Sequence, residues 1–272
     1  MRTAGGAPLV REQGTGLAPA LAAARARLGL IALLLVLAGL AWWSTADRMA
    51  GMDDGPGTAL GGLGWFVGVW VVMMAAMMFP SVAPTVALYA RMARERTRVA
   101  PLVFTAGYLL TWTAAGLVAY GLVELGRALL GDALAWDGAG RWVAGGTLLV
   151  AAAYELTPYK DVCLSKCRSP LGFLLGSWRE GLSGALNMGA RHGAWCVGCC
   201  WALMASLFAL GVMSLVWMAF VAALIAFEKT VASGGRAVTL ATALILLALG
   251  IAVIAAPGSV PGLTVPGGGM SM

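Results

Sequence analysis

Residues 194–229 read AWCVGCCWALMASLFALGVMSLVWMAFVAALIAFEK, and this run decides the fold. It holds no charged residue before Glu228. A helix crosses the bilayer core, which is about 30 Å thick, with roughly 17–25 residues. The run is therefore too long for one simple crossing and too apolar for a soluble domain. It predicts two transmembrane helices joined by a tight hairpin near Gly211 to Ser214.

The composition of the whole chain agrees with this interpretation. Of the 272 residues, 60% are hydrophobic and 11% are charged, whereas soluble domains carry about 25% charged residues. The mean hydropathy is +0.86, and 38 Gly and 11 Trp suit closely packed helices with interfacial aromatic rings. These values exclude a soluble globular enzyme and predict an all-α, polytopic transmembrane helix bundle. The net charge of +6 is explained by membrane topology, so no nucleic-acid partner is expected.

Seven stretches are apolar and long enough, or nearly long enough, to be membrane spans. They are residues 28–45, 64–89, 101–125, 141–157, 194–211, 213–229 and 237–256. The first could instead be a cleaved secretory signal, because Arg25 and Arg27 precede an apolar run that ends in small residues, and its removal would leave six spans. Residues 28–256 are thus predicted to form a single transmembrane helical domain. A disordered segment at 1–27 precedes it, and a flexible tail at 257–272 follows it.

The basic residues give the predicted orientation. With the N-terminus in the cytoplasm, all of the 18 Lys and Arg residues except Arg48, Arg127 and Arg141 fall in inner segments. This asymmetry is typical of a multi-pass protein of the bacterial inner (plasma) membrane. The C-terminus is then extracytoplasmic. Residues 158–193 are expected to form an inner-surface loop that contains an amphipathic helix near 169–190.

The five cysteines form two groups at the predicted cytoplasmic edge. Cys163 and Cys167 stand four residues apart at the start of the long inner loop, and Cys196, Cys199 and Cys200 open the fifth span. A spacing of four residues places thiols on one face of a helix. Soft thiolate clusters bind Cu(I), Zn(II) or iron–sulfur centres, although a single buried cysteine is as often a small apolar residue. Five thiols at one membrane face favour a metal site or a redox pair.

Methionines supply a second pattern of soft donors. Met73, Met74, Met77 and Met78 repeat at four-residue spacing on the second span, and Met204 extends the cysteine line of the fifth span by one turn. At about 1.5 Å per residue, Met77 and Met204 both fall near the bilayer midplane. Thioethers bind Cu(I) and discriminate against hard cations, so one interpretation is a path for a soft metal. The other is that these flexible side chains fill gaps in the packing.

Pro80 and Pro84 are expected to interrupt the second span beside the methionines. A proline leaves the carbonyl four residues earlier without its helical donor, so neighbouring groups must supply one. Broken helices often frame binding sites, but kinks without function are frequent as well.

One histidine and four charged residues complete the candidate groups. His192 stands four residues before the first cysteine of the WCVGCCW run, a spacing that permits a mixed nitrogen and sulfur site but also fits a solvated histidine. Glu124 and Glu155 lie within predicted spans near an interface, where carboxylates either bind ions or extend to water. Glu228 and Lys229 end the sixth span and are expected to pair with each other.

Three runs of the sequence resemble a family of bacterial integral membrane proteins that bind metal. They are MMAAMMFPSVAP at 73–84, ELTPYKDVCLSKCRSPLGFL at 155–174, and WCVGCCWALMASLFALGVMSLVWM at 195–218, the last followed by EK. The resemblance spans about residues 64–230. The family includes a membrane copper chaperone associated with a tyrosinase-type polyphenol oxidase, so the resemblance implies copper as the ligand. Glu155 and Ser214 stand where the family often has glutamine and asparagine.

Together these patterns predict a membrane-embedded protein that binds a soft metal, with Cu(I) as the first candidate. The cysteines are expected to capture the metal and the methionines to relay it. The predicted ligands are Cys163, Cys167, Cys196, Cys199, Cys200, Met73, Met74, Met77, Met78, Met204 and His192. The expected role is a copper chaperone or delivery factor for a cuproprotein such as a polyphenol oxidase. Its other partner is the lipid bilayer, and no enzymatic activity is expected.

Other interpretations stay open at this point. A transporter would move the metal across the membrane and would use Glu124 and Glu155 for charge compensation. A membrane thiol–disulfide oxidoreductase would use Cys196 and Cys199 as a CxxC pair. A structural assembly factor would need none of these groups. Zinc, or no metal, is also compatible with the pattern.

Overall fold

The structure is all-helical over the residues that it describes. A computed structural model describes residues 17–49, 60–93, 99–134, 136–211, 214–230, 235–260 and 263. Within these ranges the chain forms nine α-helices and three short helical turns, and no strand. The α-helices are α1 (Leu17–Met49), α2 (Leu63–Met92), α3 (Ala100–Leu130), α4 (Arg141–Glu155), α5 (Pro158–Arg168), α6 (Pro170–Ser177), α7 (Gly181–Leu210), α8 (Leu215–Thr230) and α9 (Gly235–Ala255). The predicted all-α class is confirmed.

Five of the described helices are long and apolar enough to cross a membrane. They are Leu28–Met49, Leu63–Met92, Ala100–Leu130, Gly181–Leu210 and Arg236–Ala255. These helices match five of the seven predicted spans. Helices α4 and α8, at the predicted fourth and sixth spans, have 15 and 16 residues, slightly fewer than the roughly 17 that a crossing requires.

The structure describes only part of the two terminal segments that the sequence predicts to be disordered or flexible. Helix α1 already begins at Leu17, inside the segment 1–27 that is predicted to be disordered, and residues 1–16 lie outside the described part. Pro257–Ser259 forms a short helical turn at the start of the predicted tail. Residues 261–262 and 264–272 of that tail lie outside the described part as well.

The segment between α4 and α7 differs from the prediction. Instead of a surface loop with one amphipathic helix near 169–190, it holds the short helices α5 and α6, and α7 begins at Gly181 rather than at residue 194. The cause is a seam of glycines that lets α7 pack directly on α3. A Cβ atom at Gly189 would lie 1.9 Å from the Phe104 carbonyl oxygen, and one at Gly107 would lie 2.2 Å from the Leu186 carbonyl oxygen. Small residues allow such close helix approach in membranes.

The predicted hairpin near Gly211 to Ser214 is confirmed. Helix α7 ends at Leu210 and α8 begins at Leu215. Gly211 has a φ of 110°, in the region that favours glycine. The Ser214 amide donates a hydrogen bond to the Gly211 carbonyl at 3.1 Å.

Helix α2 is not broken by its prolines, contrary to the prediction. It runs from Leu63 to Met92 through Pro80 and Pro84. Pro80 has no amide hydrogen for the Ala76 carbonyl, and the indole Nε1 of Trp42 on α1 donates to that oxygen at 3.1 Å. The neighbouring helix therefore replaces the lost hydrogen bond, and α2 can continue.

Contacts along α3 and α7 give their relative direction. Gly189 of α7 packs against Phe104 of α3, and Gly193 packs further along against Thr111. Later residues of one helix meet later residues of the other, so α3 and α7 run parallel.

Helix α4 runs antiparallel to both α7 and α9. Its Tyr154 hydroxyl donates to the Gly198 carbonyl at 2.6 Å, whereas its earlier residue Gly146 lines a cleft with Ala205. In the same way, a Cβ at Gly145 would meet the Ile254 side chain, and a Cβ at Gly250 would meet Leu149. Helices α3, α7 and α9 therefore share one direction.

Candidate metal centre

Thiols from both cysteine groups of the sequence meet where α5 packs on α7. The Sγ atoms of Cys167, Cys196 and Cys199 all lie within 4.8 Å of one another. The Cys199 Sγ lies 3.7 Å from that of Cys167 and 3.2 Å from that of Cys200. All four thiols are free. We call Cys167, Cys196, Cys199 and Cys200 the thiol cluster.

Helix α7 supplies three members of the thiol cluster. Cys196, Cys199 and Cys200 are three and four residues apart, so they occupy one side of the helix within little more than one turn. The Cys199 thiol also donates to the Cys196 carbonyl at 3.2 Å. Because α7 begins at Gly181, this trio lies near the middle of the helix rather than at its start.

A buried ion cluster holds α5, and with it Cys167, against α4 and α8. The ammonium of Lys160 is 0% exposed and donates to the carboxylates of Glu155 and Glu228, the latter at 2.8 Å. Arg168 adds a hydrogen bond from its Nε to the Glu228 carbonyl at 2.7 Å. Burial alone lowers the pKa of Lys160, but the carboxylates of Glu228 and Glu155 outweigh it and raise that pKa above its ordinary value. The lysine therefore stays charged.

One prediction about the acidic residues is wrong, and one alternative is excluded. Glu228 pairs with Lys160 and not with its neighbour Lys229, because successive side chains of a helix point about 100° apart. Glu155 does not extend to water, since it is buried beside the same lysine. Glu124, in contrast, is partly exposed and pairs with Arg127 at 3.1 Å.

Cys196 has an unusual set of neighbours. Its Sγ lies 3.0 Å from the Tyr108 hydroxyl and accepts a hydrogen bond from the Lys229 Nζ, also at 3.0 Å. The same Nζ lies 3.3 Å from the Ser81 Oγ and 4.0 Å from the Met78 Sδ. The ammonium of Lys229 therefore stands between the thiol cluster and Met78 of α2.

The predicted methionine ligands all lie in the core, and Met78 is the one that Lys229 joins to the thiol cluster. Further along, Trp70 of α2 packs against Phe208 of α7 with ring centroids 6.0 Å apart. Met78 of α2 is thus linked through Lys229 to Cys196 of α7, while the earlier Trp70 meets the later Phe208. The helices α2 and α7 therefore run antiparallel. The buried methionines on this stretch are Met73, Met74, Met77 and Met204.

Cys163 and His192 lie outside the close group of three thiols. The Sγ of half-buried Cys163 packs where α7 has no side chain, since a Cβ at Gly198 would lie 2.8 Å from it. His192 is 3% exposed, so it is not a solvated histidine. Its ring packs among aromatic rings, with the Phe173 centroid at 4.9 Å, and its Nδ1 has no hydrogen-bond partner among the described residues.

The thiols of α5 are protonated at neutral pH. Hydrogen bonding with Cys196 is the main cause that raises the pKa of Cys167 well above its ordinary value. Burial raises the pKa of the Cys163 thiol. A metal that binds Cys167 must therefore displace a proton.

The donor set can hold a soft cation. Thiolates and thioethers select Cu(I) and other soft ions over Mg²⁺ or Ca²⁺. The close group has three thiols, one fewer than the four ligands of structural zinc sites. No carboxylate or imidazole belongs to this group within the described ranges.

Sequence reasoning missed three residues of this centre. Lys229 was visible as a charge at the end of an apolar run, but which way it points depends on how α8 packs. Lys160 was counted only among the basic residues that set topology. Tyr108 stands in an apolar stretch without any local signal.

Comparison with known proteins gives one match. A family model described as PpoB2, copper chaperone, matches residues 67–253, a range that contains all five cysteines. No curated protein and no solved structure matches the chain.

Proposed function

The chain belongs to the PpoB2 family of copper chaperones, and from this premise we propose that it is a membrane-embedded Cu(I) chaperone. It captures Cu(I) with Cys167, Cys196 and Cys199 and delivers it to a cuproprotein such as a polyphenol oxidase. One observation carries the proposal. Thiols from two separate helices, α5 and α7, converge within 4.8 Å of one another.

Cu(I) is the metal that this centre suits best. A monovalent soft ion accepts two or three thiolates in an apolar surrounding, whereas zinc prefers four ligands. The Met78 thioether, beyond Lys229, is a further soft donor for the same ion. We assign the released copper a route through the buried methionines that lie between Cys196 and the Trp70–Phe208 contact.

Two rival functions are less well supported. A thiol–disulfide oxidoreductase needs a sulfur that a partner thiolate can attack, and Cys196 and Cys199 are each only 1% exposed. A transporter would need free acids for charge compensation, but Glu155 is bound to Lys160 and Glu124 to Arg127.

We also propose that the chain crosses the membrane seven times. Helices α3 and α7 pack parallel, so the chain must return to its starting side between them. Helix α4 is the longest helix described between α3 and α7, and the helical turns Gly131–Leu134 and Trp136–Gly140 precede it. The same argument applies to α8 between the parallel helices α7 and α9. The basic residues favour a cytoplasmic N-terminus in the bacterial inner membrane.

Copper binding is tested with anaerobically purified protein titrated with Cu(I) and with Zn(II). We expect stoichiometric Cu(I) on the wild type, loss of that copper in the double variant Cys196→Ser/Cys199→Ser, and full retention in Cys163→Ser. Cys163 is the matched control because its thiol lies outside the close group. A wild type that binds no Cu(I) under reducing conditions would overturn the proposal.

The same copper-loaded protein tests delivery. Mixed with a copper-free polyphenol oxidase, it should restore oxidase activity faster than an equal amount of chelator-bound copper. Equal rates would refute the delivery step while leaving copper binding intact.

A further inference from the structure

Lys229 is the cation of the thiol cluster. Among the described residues, it is the one basic side chain that hydrogen-bonds a cysteine, with its Nζ 3.0 Å from the Cys196 Sγ. Its other contacts are the Ser81 hydroxyl and the Met78 thioether. Within the described part of the chain no carboxylate pairs with Lys229, because Glu155 and Glu228 are both bound to Lys160.

The charge of a copper–thiolate complex makes this arrangement significant. Cu(I) held by two thiolates carries one net negative charge, and Cu(I) held by three carries two. A charge in a buried site is costly unless an opposite charge accompanies it. One ammonium therefore balances two thiolates plus Cu(I) to zero and leaves three thiolates plus Cu(I) unbalanced.

We propose that Lys229 is the counter-cation of bound Cu(I) and that it limits the site to two thiolates, Cys196 and one of Cys167 or Cys199. The third cysteine stays a thiol. Copper remains Cu(I) and no electron is transferred. Two Cu–S bonds form, and each thiol that becomes a ligand loses its proton to solvent. This inference rests on the proposed copper function, and it adds what limits the number of thiolates at the site.

If Lys229 competed with copper instead of accompanying it, its substitution would have the opposite effect on Cu(I) affinity. If the ammonium merely occupied the place of the metal, its removal would strengthen Cu(I) binding. Its hydrogen bond goes to Cys196 and not to Cys167 or Cys199. An ammonium only donates hydrogen bonds and has no lone pair, and the Cys196 sulfur that accepts from it keeps lone pairs for the metal. Cys196 can therefore bind Cu(I) and Lys229 at the same time, which fits a companion of copper better than a competitor.

The test compares Lys229→Gln, Lys229→Arg and the control Lys166→Gln in the full-length protein. Lys166 is exposed and adjoins Cys167 in the chain, so its removal takes away the same charge outside the buried site. Cu(I) affinity is measured by competition with a chromogenic Cu(I) chelator. We expect Lys229→Gln to lose at least about tenfold, or about 1.4 kcal/mol. Lys229→Arg and Lys166→Gln should stay within about fivefold of the wild type.

X-ray absorption of the copper-loaded wild type gives an independent readout. We expect two sulfur ligands on Cu(I), and three would overturn the inference without any variant, even if Lys229→Gln does not fold. Unchanged or tighter binding in a folded Lys229→Gln would also overturn it. Failure of the wild type itself to bind Cu(I) would instead refute the proposed function, so the two failures are distinguishable.

Discussion

At the scale of single residues, Cys196 differs from the other thiols because it alone touches both Tyr108 and Lys229. The Sγ atoms of Cys167 and Cys199 lie within 4.8 Å of the Cys196 sulfur and 3.7 Å from each other. If two thiolates bind the copper, Cys196 has no substitute, whereas Cys167 and Cys199 can replace each other. The centre is thus asymmetric although its donors are chemically identical.

This asymmetry predicts the pattern of single and double substitutions. Cys196→Ser should lower Cu(I) affinity by at least about a hundredfold, since a hydroxyl is a poor ligand for a soft ion. Cys167→Ser and Cys199→Ser should each lower Cu(I) affinity about tenfold or less. The double variant Cys167→Ser/Cys199→Ser should bind Cu(I) as weakly as Cys196→Ser does. Affinities from chelator competition decide the matter. Equal losses in all three single variants would point to three thiolate ligands.

The residues of this centre were predictable to different degrees. The cysteines and methionines carry their chemistry in their side chains, so the sequence could nominate them. It could not nominate Lys229, because a charge at the end of an apolar run is usually a topological signal. Whether Cys167 would reach Cys199 was also open, since residues that flank a loop need not touch.

At the scale of helices, the glycine seam between α3 and α7 sets the geometry of the centre. It brings the Tyr108 hydroxyl of α3 to 3.0 Å from the Cys196 sulfur of α7. The seam leaves no room for side chains, because a Cβ at Gly189 would lie 1.9 Å from the Phe104 carbonyl oxygen. The register of α3 and α7 is therefore fixed by glycines and backbone atoms that are not themselves metal ligands.

Gly189→Ala should accordingly destabilise the protein and weaken its copper site. Forcing a methyl group against a backbone oxygen pushes α7 away from α3, and overpacking of this kind costs about 1–3 kcal/mol. We expect a lower midpoint of thermal unfolding in detergent together with weaker Cu(I) binding. Gly121→Ala on α3 is the control, because a Cβ there would meet nothing within 4 Å. Equal midpoints for both variants would contradict the tight seam.

The helices themselves were predicted with uneven success for a physical reason. Long apolar runs identify α2, α3, α9 and the α7–α8 hairpin, because crossing a bilayer demands length and apolarity. The stretch at 169–190 has a local amphipathic pattern, and that pattern predicted a surface helix. Because Gly189 packs directly on α3, the second half of this stretch is part of α7 instead.

At the scale of the whole molecule, buried charge is arranged in two adjacent sets. The charge of Lys160 balances one of the two carboxylates that it contacts, while Lys229 contacts the Cys196 thiol and, within the described ranges, no carboxylate. Glu228 and Lys229 are neighbours in the chain, yet they serve different sets. Helix α8 thus connects the ion cluster that holds α5 to the thiol cluster, so a shift of α8 would disturb both.

The relative directions of the helices lead to a prediction about the membrane. In the proposed seven-span topology, α4 crosses the membrane between the parallel helices α3 and α7, although α4 is only 15 residues long. In spheroplasts, an impermeant maleimide should label Ala133→Cys, before α4, and Ala256→Cys, after α9. It should label Tyr159→Cys, after α4, and Arg236→Cys only once the membrane is permeabilised.

Tyr159 is the deciding position, since it lies directly beyond the C-terminal end of α4 and is 76% exposed. The unsubstituted protein controls for reaction at Cys163 and Cys167, which are half-buried. If Tyr159→Cys reacted from outside, α4 would not cross. The five long helices alone would then span the membrane, and α7 would have to enter from the outer side. Helix α7 would then run opposite to α3 across the bilayer, and this result would contradict both the seven-span proposal and the parallel packing inferred from the contacts of Gly189 and Gly193 with α3.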